Sequence, residues 1–187
     1  MGSSLNILHT SIPDLMVVET TPRVDARGSF SRLYCELELV NLMGSRRIVQ
    51  INHSRTLTVG AVRGLHFQHC PHAEMKLVRC LKGRVWDVAV DLRENSPAYL
   101  QWHAQELSPS NGLMMILPEG FAHGFQVLEP DSELLYLHTA AYAPVAEGGV
   151  RHDDPRLDIH WPLAVTDLSE RDANHPMIDS SFHGIRL

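Results

Sequence analysis

Several polar residues stand inside runs that otherwise read as buried strands: Gln50 and Asn52, Arg63 and His66, Lys76, Asp87, His123 and Tyr136. Polar groups turned inward on an apolar barrel are the mark of a small-molecule pocket rather than of a blind core. Among them His66 has the residue type that serves as a base near neutral pH. Metal binding is the competing use of histidine. In His66-Phe-Gln68-His69-Cys-Pro-His72-Ala-Glu74 the position two after His66 is a glutamine, and His69 and His72, three apart, would point to opposite faces of a strand. A catalytic zinc needs three nitrogen or oxygen ligands plus water, and His123 alone stands out as one, so no metal is expected.

These residues need elements to hold them. Lys76–Leu81 ends at the turn pair Lys82-Gly83, and Arg84–Leu92 follows with period two, so the two runs read as an antiparallel hairpin. Val85, Asp87, Ala89 and Asp91 would share one face, and Trp86, Val88 and Val90 the other. Further strands are expected over 99–107, 113–117, 125–128 and 132–139, punctuated by Asn95-Ser-Pro97 and Pro118-Glu-Gly120. Short strands about ten residues apart predict an all-β sandwich or barrel. One short helix is expected over Cys35–Met43. The segment after about Asp154, rich in Pro, Asp and His, should pack on the barrel as loops and short helices. No repeat or linker divides the chain, so residues 1–187 read as one domain.

Composition narrows the function. The chain has 187 residues and a net charge of -6 with no long basic run, which argues against general nucleic-acid binding. No apolar run approaches the ~20 residues of a membrane span, and the start lacks a signal-peptide pattern, so a cytoplasmic protein is expected. Cys35, Cys70 and Cys80 are odd in number and contain no CxxC, and read as buried or half-buried thiols rather than a disulfide framework.

Gly112-Leu-Met-Met-Ile-Leu-Pro118-Glu-Gly120-Phe-Ala-His123 resembles the second motif of the cupins, which are jelly-roll barrels. A longer, ordered series resembles the dTDP-4-dehydrorhamnose 3,5-epimerase family. It includes Asp25-Ala-Arg27-Gly-Ser-Phe30, Gln50-Ile-Asn52-His-Ser54, Arg63-Gly-Leu-His66-Phe67 and Lys76-Leu-Val-Arg79. Later come Val85-Trp-Asp87-Val-Ala-Val-Asp91, His123-Gly-Phe125, Leu135-Tyr136, Tyr142-Ala-Pro144 and Leu168-Ser-Glu-Arg-Asp172, and the likeness spans roughly residues 10 to 176.

The resemblance implies a cupin-like jelly roll that epimerises a nucleotide-linked 4-keto-6-deoxyhexose without metal or redox cofactor. It implies His66 as base, Asp172 as its orienting carboxylate, Lys76 at the enolate oxygen and Tyr136 as the opposing acid. It further implies substrate contacts from Arg27, Phe30, Gln50, Asn52, Arg63, His123 and Tyr142, and a homodimer whose N-terminal strand, for which Val17–Thr20 is a candidate, joins the partner's sheet. Ser31 and Arg32 depart from the family pattern, which has an aromatic and an acidic residue there. CDP, GDP and UDP therefore stay open as carriers beside dTDP. Inversion at C3, C5 or both stays open as well, and a related cupin isomerase or a metal-dependent cupin oxygenase is the alternative.

Overall fold

The computed structural model describes residues 4–187, and they form two packed antiparallel sheets. In chain order the strands are β1 (Leu5–His9), β2 (Met16–Thr20), β3 (Arg23–Asp25), β4 (Gly28–Phe30), β5 (Gln50–Thr56), β6 (Val62–Gln68) and β7 (Lys76–Lys82). They continue with β8 (Val85–Asp91), β9 (Trp102–Leu107), β10 (Leu113–Leu117), β11 (Phe121–Val127), β12 (Ser132–His138) and β13 (Glu147–Gly149). Two single-turn helices, α1 (Val40–Met43) and α2 (Glu170–Ala173), complete the described elements with a 3-10 turn at Pro144–Ala146. One sheet runs β1-β2-β10-β7-β12-β5 and the other β13-β6-β11-β8-β9, while β3 and β4 form a separate hairpin. No helix among the described residues is long and apolar enough to cross a membrane.

Alternation along each strand sorts its residues between layers. Val78, Cys80, Val85, Ala89, Met115, Phe125 and Leu134 meet between the sheets. Leu65, Phe67, Val88 and Val90 face outward under Val150, Leu157, Ile178 and Ile185 of the C-terminal segment, which packs over that face as expected. Leu77, Met114, Ile116 and Leu137 face outward from the other sheet, under Leu39 and Met43. The period-two reading of 85–91 therefore holds: Val85 and Ala89 point in, Val88 and Val90 out.

Other expectations change. β7 and β8 are not hairpin partners: β7 pairs with β10 and β12, and β8 with β9 and β11. The Lys82-Gly83-Arg84 corner instead carries the chain from one sheet to the other, with Gly83 packed against Ser132. The strand expected from 99 begins at Trp102, because Tyr99–Gln101 turn under backbone bonds to Ser96 and Ala98. The helix expected over 35–43 shrinks to 40–43. Its N-cap Leu39 supplies no side-chain cap, and Glu38 instead accepts the backbone N–H groups of Ser4 and Leu5. Val17–Thr20 offers no free edge to a partner, since β2 is paired on both sides within its own chain. Cys35 is half-buried and Cys80 buried, as read, but Cys70 is exposed.

β6 and β11 cross at a bulge. His123 pairs with His66 and Phe125 with Arg63, so Gly64 and Leu65 stand opposite Gly124 alone. Gly64 has φ +124°, and a Cβ there would lie 2.5 Å from Gly124 Cα and 2.7 Å from the His123 carbonyl oxygen. Gly64→Ala should thus lower stability by about 1–3 kcal/mol from backbone strain alone, read as a lower urea midpoint; an unchanged midpoint would refute the tight crossing.

Candidate active site

A cavity of about 720 Å³ opens between the sheets, and its walls continue the core-facing side of the same strands. On β7, Lys76 lines it while Val78 and Cys80 enter the core. On β12, His138 and Tyr136 line it while Leu134 enters the core. Register then sets neighbours: Gln50, His138 and Lys76 lie side by side across β5, β12 and β7, and Asn52 pairs with Tyr136 one step further on. From the facing sheet come Arg63, His66 and His123. Arg63 and His66 are three apart, a spacing that strict alternation would send to opposite faces; the bulge at Gly64-Leu65 lets both reach the cavity.

His66 Nε2 lies 2.7 Å from Asp172 Oδ1, and Asp172 Oδ2 accepts the Gly64 N–H at 3.1 Å. Asp172 arrives on α2, whose Ser169 caps the turn by accepting the Asp172 N–H. Burial of Asp172 acts to raise its pKa, but the hydrogen bond and charge of His66 and the Gly64 N–H together hold it well below the usual carboxylate range. An ionised carboxylate only accepts, so Nε2 carries the proton and the lone pair of His66 sits on Nδ1. Arg171 Nη2, 3.3 Å from the same Nε2, is then a neighbouring cation rather than a donor, and its charge is answered by Glu147 at 2.9 Å.

Tyr136 lies on the opposite wall with its hydroxyl 3.0 Å from Ser54 Oγ. Burial pushes its phenol above the ordinary range, so it is fully protonated at neutral pH. Lys76 Nζ is held by Glu74 Oε1 at 3.2 Å, and the other oxygen of Glu74 meets His138 Nδ1 at 2.7 Å. His123 Nε2 is 2.8 Å from Asp87 Oδ1, which is fully buried behind it. Tyr142 stands at the rim, its hydroxyl on Glu147 and its N–H on Gln50 Oε1. The arrangement holds a base, a cation and a weak acid around one space, which suits proton removal beside a carbonyl and return from the other side.

Of the residues expected from the sequence, nine line this cavity: His66, Asp172, Lys76, Tyr136, Gln50, Asn52, Arg63, His123 and Tyr142. Arg27 and Phe30 do not. They lie on the β3–β4 hairpin, where Arg27 pairs with Asp25 and Phe30 is 72% exposed. The sequence reading missed Glu74, His138 and Arg171. His138 was discoverable as the i+2 neighbour of Tyr136 on the same face of β12, and Glu74 as the residue two before Lys76, just ahead of β7. Arg171 gave no such signal. Gln68, where a second cupin histidine would stand, spends its amide on the backbone of His72, Ala141 and Ala143, stapling the loop that carries Tyr142.

The sequence profile of the dTDP-4-dehydrorhamnose 3,5-epimerase family matches residues 9–180. The dTDP-4-dehydrorhamnose 3,5-epimerase of Salmonella typhimurium is 40% identical over 177 residues, covering 94% of this chain and 96% of that protein. The Pseudomonas aeruginosa protein of the same name is 45% identical over 166 residues, covering 87% and 90%. Among solved structures, the dTDP-6-deoxy-D-glucose-3,5-epimerase of Legionella pneumophila, in complex with dTDP-4-keto-L-rhamnose, superposes with a TM-score of 0.89 at 37% identity, covering 97% of this chain and 98% of that one.

The lowered pKa of Asp172 fixes a pH response. Its stabilising contribution is complete above the ordinary carboxylate value of about 3.9 and is lost as pH falls through the folded-state value. The urea midpoint of the native protein should therefore drop more steeply than that of Asp172→Asn below about pH 4. Parallel curves would show that the carboxylate is not selectively stabilised by folding.

Proposed function

The chain belongs to the dTDP-4-dehydrorhamnose 3,5-epimerase family, and from that premise we propose that its cavity binds a dTDP-linked 4-keto-6-deoxyhexose and inverts it by proton exchange beside the ketone. The observation that carries the residue assignment is the opposition of His66 and Tyr136 on facing sheets, with Lys76 lining the same space.

The C4 ketone acidifies the hydrogens at C3 and C5. His66 Nδ1 takes one, and Asp172 stabilises the resulting imidazolium through Nε2–H. The electron pair moves onto O4, where the Lys76 ammonium, fixed by Glu74, meets the enolate. Tyr136 returns a proton to carbon from the far wall; a phenol whose pKa is raised by burial is a weak acid, adequate for a strongly basic enolate carbon. Arg63, Gln50, Asn52 and His123 supply donors for the sugar and diphosphate, the guanidinium fork of Arg63 suiting phosphate best. The relatives' names favour the thymidine carrier, and the charge of Arg32, which departs from the family pattern, is answered by Glu38 within its own chain.

Arg27 and Phe30 fit this reading in a homodimer. The exposed β3–β4 hairpin, with Val24 74% and Phe30 72% exposed, is suited to cover the mouth of a partner's cavity and bring Arg27 to its diphosphate.

In heavy water, deuterium should enter C3 or C5 of a dTDP-linked 4-keto-6-deoxyhexose. His66→Ala should abolish exchange, Lys76→Met should slow it about 100- to 1,000-fold, and Tyr136→Phe should retain exchange while losing inversion. Absence of exchange from the native protein with any 4-keto sugar nucleotide would overturn the assignment. For the dimer, an Arg27→Glu, Phe30→Ser protomer and a His66→Ala protomer should each be poor alone and recover activity when mixed. Lack of recovery would place the hairpin outside the partner's site.

A further inference from the structure

His175 has no role in the chemistry above, yet its imidazole is packed beside the catalytic pair. Its ring lies edge-on to His66 with centroids 5.6 Å apart, and its Nε2 is 3.7 Å from Asp172 Oδ1. That nitrogen is buried and has no hydrogen-bond partner. Space for the ring comes from Gly149, the residue paired with His66 across β13 and β6, since a Cβ at 149 would collide with the His175 imidazole.

We propose that His66, Asp172 and His175 form a binding site for a divalent transition metal of the zinc class, and that occupancy silences the epimerase. One nitrogen of each histidine and one oxygen of Asp172 lie within 4.8 Å of one another. Zinc with ligands at about 2.0–2.1 Å spaces them roughly 3.3 Å apart in a tetrahedron. His66 and Asp172, now 2.7 Å apart, would open slightly, and His175 would close from 3.7 Å. Two imidazoles and a carboxylate are a donor set that borderline metals favour over magnesium or calcium. Water from the cavity completes the fourth position.

The metal would replace the proton that His66 Nε2 shows to Asp172. A neutral imidazole bound through Nε2 keeps its hydrogen on Nδ1, the atom assigned above to take the substrate proton. The base then has no lone pair to offer. The hydrogen only moves from Nε2 to Nδ1, so binding to the neutral ring releases no net proton. Arg171, whose Nη2 lies 3.3 Å from His66 Nε2, opposes the ion, but it is half exposed and its charge is already met by Glu147 at 2.9 Å.

The silencing clause rests on the proposed role of His66; metal binding does not, so binding is measured first, without substrate. Titrating zinc chloride against a chromogenic chelator with the full chain should give one tight site per protomer. His175→Gln should keep native deuterium exchange in zinc-free buffer and lose zinc affinity by about 100-fold or more, since even loss of an outer partner of a metal ligand costs about 10–100-fold. Zinc at a level that stops exchange in the native protein should leave His175→Gln active. Crystals of the native protein, measured across the zinc absorption edge, should show an anomalous peak between the three side chains. Unchanged affinity in the variant, no stoichiometric binding, or a peak elsewhere would overturn the site. Binding without inhibition would overturn the silencing and leave the site standing.

Discussion

The site depends on keeping a carboxylate ionised in a place where water barely reaches it. The side chain of Asp172 is 3% exposed, and an unpaired charge there would cost several kcal/mol. It is tolerated because one oxygen meets a backbone N–H and the other meets His66. The partners come from β6, whereas Asp172 comes from a segment more than a hundred residues later. That same segment lays Val150, Leu157, Ile178 and Ile185 over the outer face of the second sheet. Closing the hydrophobic outer layer and completing the His66–Asp172 pair are consequently one packing event. The apolar contacts place the carboxylate, and the hydrogen bonds orient it.

The space between the sheets has two characters. At one end Phe125, Val127, Leu134 and Met115 fill it. At the other, Lys76, Tyr136, His138 and His123 leave it open and polar. Each polar group is held by another: Glu74 grips Lys76 and His138, Asp87 backs His123, and Ser54 meets Tyr136. Preset donors of this kind need little rearrangement when charge develops on a substrate oxygen. They also hold His66 and Tyr136 on opposite walls.

Much of this was legible in the residues themselves. Period two assigned the faces of 85–91 correctly, and inward polar residues on apolar strands marked the cavity. What escaped was long-range. Lys82-Gly83 looks like a hairpin turn, and nothing local reveals that its two strands part into opposite sheets. The spacing of Arg63 and His66 contradicts their shared destination until the bulge opposite Gly124 is known. The run Cys35–Met43 suggested a longer helix, but Glu38 is engaged by the N-terminal strand instead. Arg27 and Phe30 show the complementary case: a motif can match a family while its residues stand outside the cavity of their own chain.

Gly149 carries a consequence for how such chains diverge. Its missing side chain is the floor on which the His175 ring rests, directly across from His66 on the paired strand. Any lineage acquiring a side chain at 149 must first shrink or move the residue at 175, and the reverse order is barred by the clash. The two positions should therefore change together among descendants, although 25 residues of sequence lie between them. An imidazole at 175 without glycine at 149 is a combination that natural drift should rarely sample.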